Sequence, residues 1–260
     1  MESVTPITSG CEAFPLVWRD HAAAPIACTR GKLGGCFAAC RSMCYKHQNG
    51  KGTMMRSPDY IFWAVDVQRD FMLPGGKLYV PGAEKLLPNI ERLTDAARRD
   101  AVLLVSSGDF HGPHDPEFKQ FPPHCLKGTA GSELLPEALA DKVLRIENLP
   151  SAKVPDDLSA YQQVVLEKQT LDVFQTRHAD DLIARLGSRA EFVVFGVVTE
   201  YCVACAVRGL IERKRRVAVV RDAIQTLAPE VGEKTLAQFR ELGARMITTD
   251  EALDAIPGRA

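Results

Sequence analysis

The chain lacks any run of about 18 consecutive apolar residues, so no bilayer-spanning helix is expected. It also lacks a basic tract: 32 Lys and Arg stand against 33 Asp and Glu, a formal net charge of −1. Its densest basic cluster, Lys214-Arg215-Arg216, reads as the solvated end of a helix. Binding to nucleic acid or to a membrane surface therefore has no electrostatic footprint. The opening residues, Met1 to Pro6, carry no basic charge and lead into no apolar segment, which argues against a secretory leader. No internal repeat or low-complexity tract is visible.

Five of the eight cysteines, Cys11, Cys28, Cys36, Cys40 and Cys44, crowd the start of the chain without the paired C-x-x-C spacing of a zinc site. That usage fits a reduced, cytoplasmic protein better than a disulfide framework. Residues 1–57 have neither strand nor helix periodicity and read as an irregular, cysteine-containing extension. Met54 or Met55 is an alternative start. Cys36, Cys40 and Cys44 would share one face if that segment were helical, so a thiol-based metal or redox sensor is a distinct reading of the extension.

From Tyr60 onward the pattern changes. Short apolar runs at 61–65, 101–105, 163–166, 192–198 and 217–220 have the composition of strands buried on both faces. Amphipathic stretches at 83–99, 178–187, 203–214 and 230–242 lie between them. This alternation predicts an α/β domain over 58–260, a doubly wound, mostly parallel sheet with helices on both faces.

In such sheets ligands bind beyond the carboxyl ends of the strands. Asp66 follows the first run, Asp109 and His111 the second, Lys168 the third and Cys202 the fourth. Cys202 falls where a buried strand gives way to a helix, a place that favours a thiolate. Free thiols titrate near ~8.5, so a nucleophilic cysteine needs a base or a nearby cation. Asp66 could take the proton and Lys168 could steady the charge. Taken singly, Asp66 also reads as a strand-end turn residue and Lys168 as a solvated lysine. Cys205 completes a C-x-x-C with Cys202, but without the context of a redox pair it reads as a helix residue.

The loop Gly108-Asp109-Phe110-His111-Gly112-Pro113-His114 and the later Phe121-Pro122-Pro123-His124-Cys125 are dense in ligand-type side chains. Half of the six histidines fall within residues 111–124. Asp109, His111, His124 and, as a further candidate, His114 could hold a divalent metal: zinc first, with iron or manganese as alternatives. Cys125 is a weaker ligand, and a hydrogen-bonded loop is the plain alternative.

Five segments together resemble the isochorismatase-like cysteine hydrolases, and within these the nicotinamidases: Val65-Asp66-Val67-Gln68-Arg69-Asp70-Phe71, Pro74 to Gly82, Asp109-Phe110-His111, Phe121 to Glu133, and Gly196 to Val203. The resemblance spans about 60–255. It implies an Asp66–Lys168–Cys202 triad, Lys168 being preferred to Lys127. It implies Asp109, His111 and His124 as metal ligands, and Phe71 and Phe121 as aromatics flanking the substrate ring. A non-proline cis bond between Val197 and Val198 is implied as well, with the N–H groups of Val198 and Cys202 facing an oxyanion. The expected activity is deamidation of nicotinamide, or a close aromatic amide, through a cysteine thioester. A cysteine amidase for an N-carbamoyl, ureido or aliphatic amide is the alternative. The expected partners are a small-molecule amide and further copies of the chain.

Overall fold

The computed structural model describes residues 59–256. The N-terminal cysteines, and with them the extension, alternative-start and sensor readings, lie outside the described residues. Among the described residues no helix is long and apolar enough to cross a membrane.

Seven strands form one sheet: β1 (Tyr60–Val65), β2 (Leu103–Asp109), β3 (Val143–Ile146), β4 (Gln163–Lys168), β5 (Glu191–Val197), β6 (Arg216–Gln225) and β7 (Arg245–Ile247). Their spatial order is β3-β4-β2-β1-β5-β6-β7, and every neighbouring pair runs parallel. The doubly wound expectation holds, and the sheet is parallel throughout. After β1 the chain builds outward on one side through β2 and β4, then crosses back to place β5 on the other. That reversal opens a crevice at the carboxyl ends of the central strands.

The central strands are apolar because both faces are covered. Alternate β1 side chains serve opposite cores. Ile61, Trp63 and Val65 pack with Val207 and Leu210 of α4 (Ala204–Glu212) and Phe239 of α5 (Pro229–Glu241). Phe62 and Ala64 pack with Ile90 and Leu93 of α2 (Leu87–Arg98) and Leu253 of α6 (Thr249–Asp254). The short α1 (Arg69–Met72) follows β1, and α3 (Ala179–Arg185) adds Leu182 and Ile183 to the first core.

The differences from the sequence reading have physical causes. β2 and β4 run further than their apolar stretches, because the polar residues that extend them are buried and partnered: in β2, Ser106 Oγ accepts from Gln163 Nε2 at 2.7 Å and Ser107 Oγ from Trp63 Nε1 at 3.3 Å, and in β4, Glu167 pairs with Lys127 and Lys168 with Asp109. Edge strands β3 and β7 have four and three residues, too short to register as a pattern. The stretch 83–99 opens with a 3₁₀ turn, Ala83–Leu86, before α2 begins. Helix α6, beyond the last amphipathic stretch read from the sequence, starts from a capping box between Thr248 and Glu251.

One glycine fixes the approach of β5 to β1. Gly196 has φ +116°, and a Cβ there would lie 2.1 Å from the Val65 carbonyl oxygen, directly before Asp66. Gly196→Ala is therefore expected to cost about 3 kcal/mol or more. By thermal unfolding its Tm should fall by roughly 6–12 °C; an unchanged Tm would contradict this packing.

Candidate active site

Four strand ends supply the polar groups. Asp66 follows β1 in a left-handed conformation, φ +52°, with its N–H donating to the Ser107 carbonyl at 2.9 Å. Asp109 ends β2 and Lys168 ends β4, and the two are register partners. Cys202 lies in a π turn, Thr199–Val203, between β5 and α4. The Val197–Val198 peptide is cis, and the Val198 carbonyl accepts from the N–H groups of Tyr201 and Val203, which flank Cys202.

These groups converge. Lys168 Nζ donates to Asp109 Oδ1 at 2.5 Å and lies 3.6 Å from Cys202 Sγ. It also lies 3.0 Å from Asp66 Oδ2, close enough for an ion pair but without hydrogen-bond alignment, so both Asp66 oxygens lack a hydrogen-bond partner. Asp66, Asp109, Lys168 and Cys202 are all buried. One oxygen of each aspartate and the sulfur lie within 4.8 Å of one another.

Burial dominates the protonation of this cluster. It pushes the Asp66 carboxyl up to about 7, with the Lys168 ammonium opposing and the Asp109 charge adding to the rise. Burial likewise would raise Asp109, but Lys168, His111 and His124 hold it well below the usual carboxylate range. Lys168 is pushed by burial toward neutrality, and the charges of Asp109 and Asp66 more than reverse this. Burial and the Asp66 charge raise the Cys202 thiol well above its ordinary value despite Lys168. A helix start favours a thiolate, whereas burial and the Asp66 charge act in the opposite direction on the Cys202 sulfur.

A second cluster adjoins the first. The ligand atoms of Asp109, His111 and His124 lie within 4.8 Å of one another. His124 Nδ1 faces the Pro122 carbonyl at 2.8 Å, and its Nε2 lies 3.7 Å from Asp109 Oδ2. His111 Nδ1 lies 3.1 Å from Asp115 Oδ2, and its buried Nε2 has no hydrogen-bond partner. The sequence reading missed Glu117, on the 3₁₀ turn Pro116–Lys119. Both its buried oxygens lack a hydrogen-bond partner, and Oε2 lies 3.8 Å from His111 Nε2. His114 is exposed and outside both clusters. Cys125 faces away, its Sγ 3.7 Å from the Gly131 carbonyl. Lys127 pairs with Glu147 and Glu167.

Buried scaffolding positions these groups. The Gln68 amide clamps Asp109, accepting from its N–H at 2.7 Å and donating to its carbonyl at 2.6 Å. Asp70 accepts the Cys125 N–H at 2.7 Å and so fixes the residue after His124. Above them opens a cleft of about 490 Å³, counting its open mouth, lined by Phe71, Phe121, Tyr201, Val198, His124 and Cys202, among others.

The Isochorismatase domain family matches residues 61–147 and 141–251. The chain belongs to that family. This isochorismatase-family hydrolase is 22% identical to a nicotinamidase of Escherichia coli over 206 residues, covering 71% of its own length and 92% of that enzyme. Its structure resembles a Pyrococcus horikoshii pyrazinamidase solved with zinc, with a TM-score of 0.58, 25% identity, and coverage of 74% and 99% of the two chains. It also resembles an N-carbamoylsarcosine amidase of Thermoplasma acidophilum, with a TM-score of 0.58, 25% identity, and coverage of 77% and 99%. The hydrolase is of the amide-cleaving kind, similar to nicotinamidases at low identity.

The raised Asp66 value links stability to pH. The folded state holds this proton more tightly than the unfolded chain, so stability drains away as pH rises toward 7. Asp66→Asn mimics the protonated state at every pH. The Tm of D66N minus that of wild type should therefore grow from about pH 4 to about pH 8; a constant or shrinking difference in calorimetry would contradict the burial of this charge.

Proposed function

We propose that this hydrolase releases ammonia from nicotinamide, or a close heteroaromatic amide, through a thioester on Cys202. The observation that carries the proposal is Lys168 Nζ, buried and within 3.6 Å of Asp66, Asp109 and Cys202 alike.

In this reading the substrate ring lies between Phe71 and Phe121, both lining the cleft beside Cys202. Asp66 takes the thiol proton and the sulfur attacks the amide carbonyl carbon. The N–H groups of Val198 and Cys202 receive the oxyanion, an arrangement worth on the order of 100- to 1000-fold per donor in other enzymes. The C–N bond then breaks, and Asp66 returns its proton to the departing ammonia. Water attacks the thioester as Asp66 takes its proton, the acid leaves, and the proton goes back to sulfur.

Asp109, His111 and His124 would hold a divalent metal, with Glu117 as a fourth donor. The support is the chemistry of the set: two imidazole nitrogens and two carboxylates, with His111 Nε2 and Glu117 left unpartnered in a buried place. Zinc fits these donors, and zinc accompanies the Pyrococcus relative. The metal would supply positive charge that orients the substrate.

Hydrolysis of an N-carbamoyl amino acid is the second reading, favoured by likeness to the Thermoplasma amidase. That class of substrate carries a carboxylate. The described residues lining the cleft include Asp109 and Glu117 but no Lys or Arg to receive it, which favours an uncharged amide.

Cys202→Ala is expected to reduce ammonia release from nicotinamide by about a thousandfold or more, and mass spectrometry of enzyme quenched during turnover should find an acyl adduct on Cys202. Undiminished turnover would refute the scheme. Replacing Glu117 by Gln should weaken zinc binding about 10- to 100-fold in competition with a chelator; unchanged affinity would remove Glu117 from the donor set.

A further inference from the structure

The cleft has a gradient that the proposed chemistry does not use. Of its polar lining groups, Asp109, His124 and Cys202 are buried, and the carboxylate oxygens of Glu117 are enclosed. Its partly exposed lining residues include Leu78, Tyr79, Leu171, Tyr201 and Leu227, and Leu227 is 51% exposed. An exposed leucine beside the half-buried Leu78 and Leu171 in the lining of an enzyme cleft calls for a reason, because exposed apolar surface in a fixed place usually meets a ligand.

The leucine at this mouth is fixed. Glu200 holds residues 226–228 through three hydrogen bonds: Oε2 accepts from Thr226 Oγ1 at 2.7 Å, and Oε1 accepts from the Leu227 N–H at 2.9 Å and the Ala228 N–H at 3.3 Å. Glu200 sits in the same π turn as Cys202, so the rim and the nucleophile share one support. On the other side, Gln225 Nε2 donates to the Pro81 carbonyl at 2.8 Å, tying the end of β6 to the segment that carries Leu78 and Tyr79. A rim held this way is organised before any ligand arrives, so binding need not order it.

We propose that the mouth is an apolar subsite for an alkyl or aryl substituent on the ring of the amide substrate, with Leu227 as a specificity-determining residue and Glu200 as the positioning residue behind it. The inference rests on the aromatic-amidase reading above and narrows its substrate class: a single unsubstituted ring leaves the leucine wall in water, and an apolar substituent covers it. Burial of each added methylene against this wall should favour binding, and the part of the substrate that reacts stays the same.

The test uses the full-length, metal-loaded enzyme and measures ammonia release from nicotinamide and from nicotinamides carrying methyl, ethyl or propyl groups at each ring position. At one ring position at least, kcat/KM should rise about two- to fourfold per methylene, mainly through KM. Leu227→Ala should flatten that rise. Glu200→Ala should flatten it as well, and Glu200→Gln, which keeps an acceptor oxygen, should restore part of it. Leu227 is exposed, so L227A decides the matter even if E200A does not fold. A flat or falling series at every ring position in wild type, or a slope unchanged in L227A, overturns the subsite while leaving the amidase reading intact. Hydrolysis of none of the amides, nicotinamide included, overturns the amidase reading and the subsite with it.

Discussion

A buried ammonium organises this site. Lys168 ends β4 with Nζ enclosed by Asp66, Asp109 and Cys202, and no part of the residue is exposed. Removing such a charge from water costs several kcal/mol, so it persists only where its partners are fixed. The arrangement also limits the cost of moving a proton. In the proposed mechanism a proton passes from Cys202 to Asp66, and negative charge would shift from one neighbour of the ammonium to another, from Asp66 at 3.0 Å to Cys202 at 3.6 Å. The Coulomb attraction to Lys168 would be largely retained throughout, which would let a thiol held above its ordinary value act as the proposed nucleophile.

Asp109 links this group to the second cluster. One of its oxygens accepts from Lys168 and the other faces His111 and His124. Its backbone cannot drift, because Gln68 grips both its N–H and its carbonyl. Asp70 does the same for Cys125, one residue beyond His124. Two non-glycine residues at these places, Asp66 and Cys125, adopt left-handed backbone angles, φ +52° and +43°. Strain of this sort survives where surrounding structure over-determines it, here through the Ser107 carbonyl that accepts the Asp66 N–H and the Asp70 carboxylate that accepts the Cys125 N–H.

Much of this was legible in the sequence, for a reason the structure makes plain. The central strands are buried on both faces, so their apolar runs stand out, and the first polar residue past each run must fall at the crevice. Asp66, Asp109, Lys168 and Cys202 were found that way. The short edge strands β3 and β7 left no periodic trace. Glu117 went unnoticed because it lies among exposed residues of a 3₁₀ turn, where a carboxylate normally means a solvated surface; only the fold shows its oxygens to be enclosed. His114 misled for the converse reason, since proximity in sequence to His111 does not bring a loop side chain inward. At the thiol two effects oppose each other: a helix start favours charge, while burial, invisible to local sequence, disfavours it.

The division of labour within the cleft follows from the same geometry. Groups that would break and make bonds come from strand ends and the turn after β5, positions fixed by the pairing of the sheet. Groups that would choose among amides come from connecting segments, 78–80, 171 and 226–228, whose side chains the sheet does not constrain. Relatives at 22–25% identity can therefore share the strand-end residues while differing along the rim. A fold does not by itself decide a substrate, which depends on the side chains of the site. For this protein the rim is leucine-rich and pinned by Glu200 and Gln225, so what it selects for must be read from its own side chains and not from the names of its relatives.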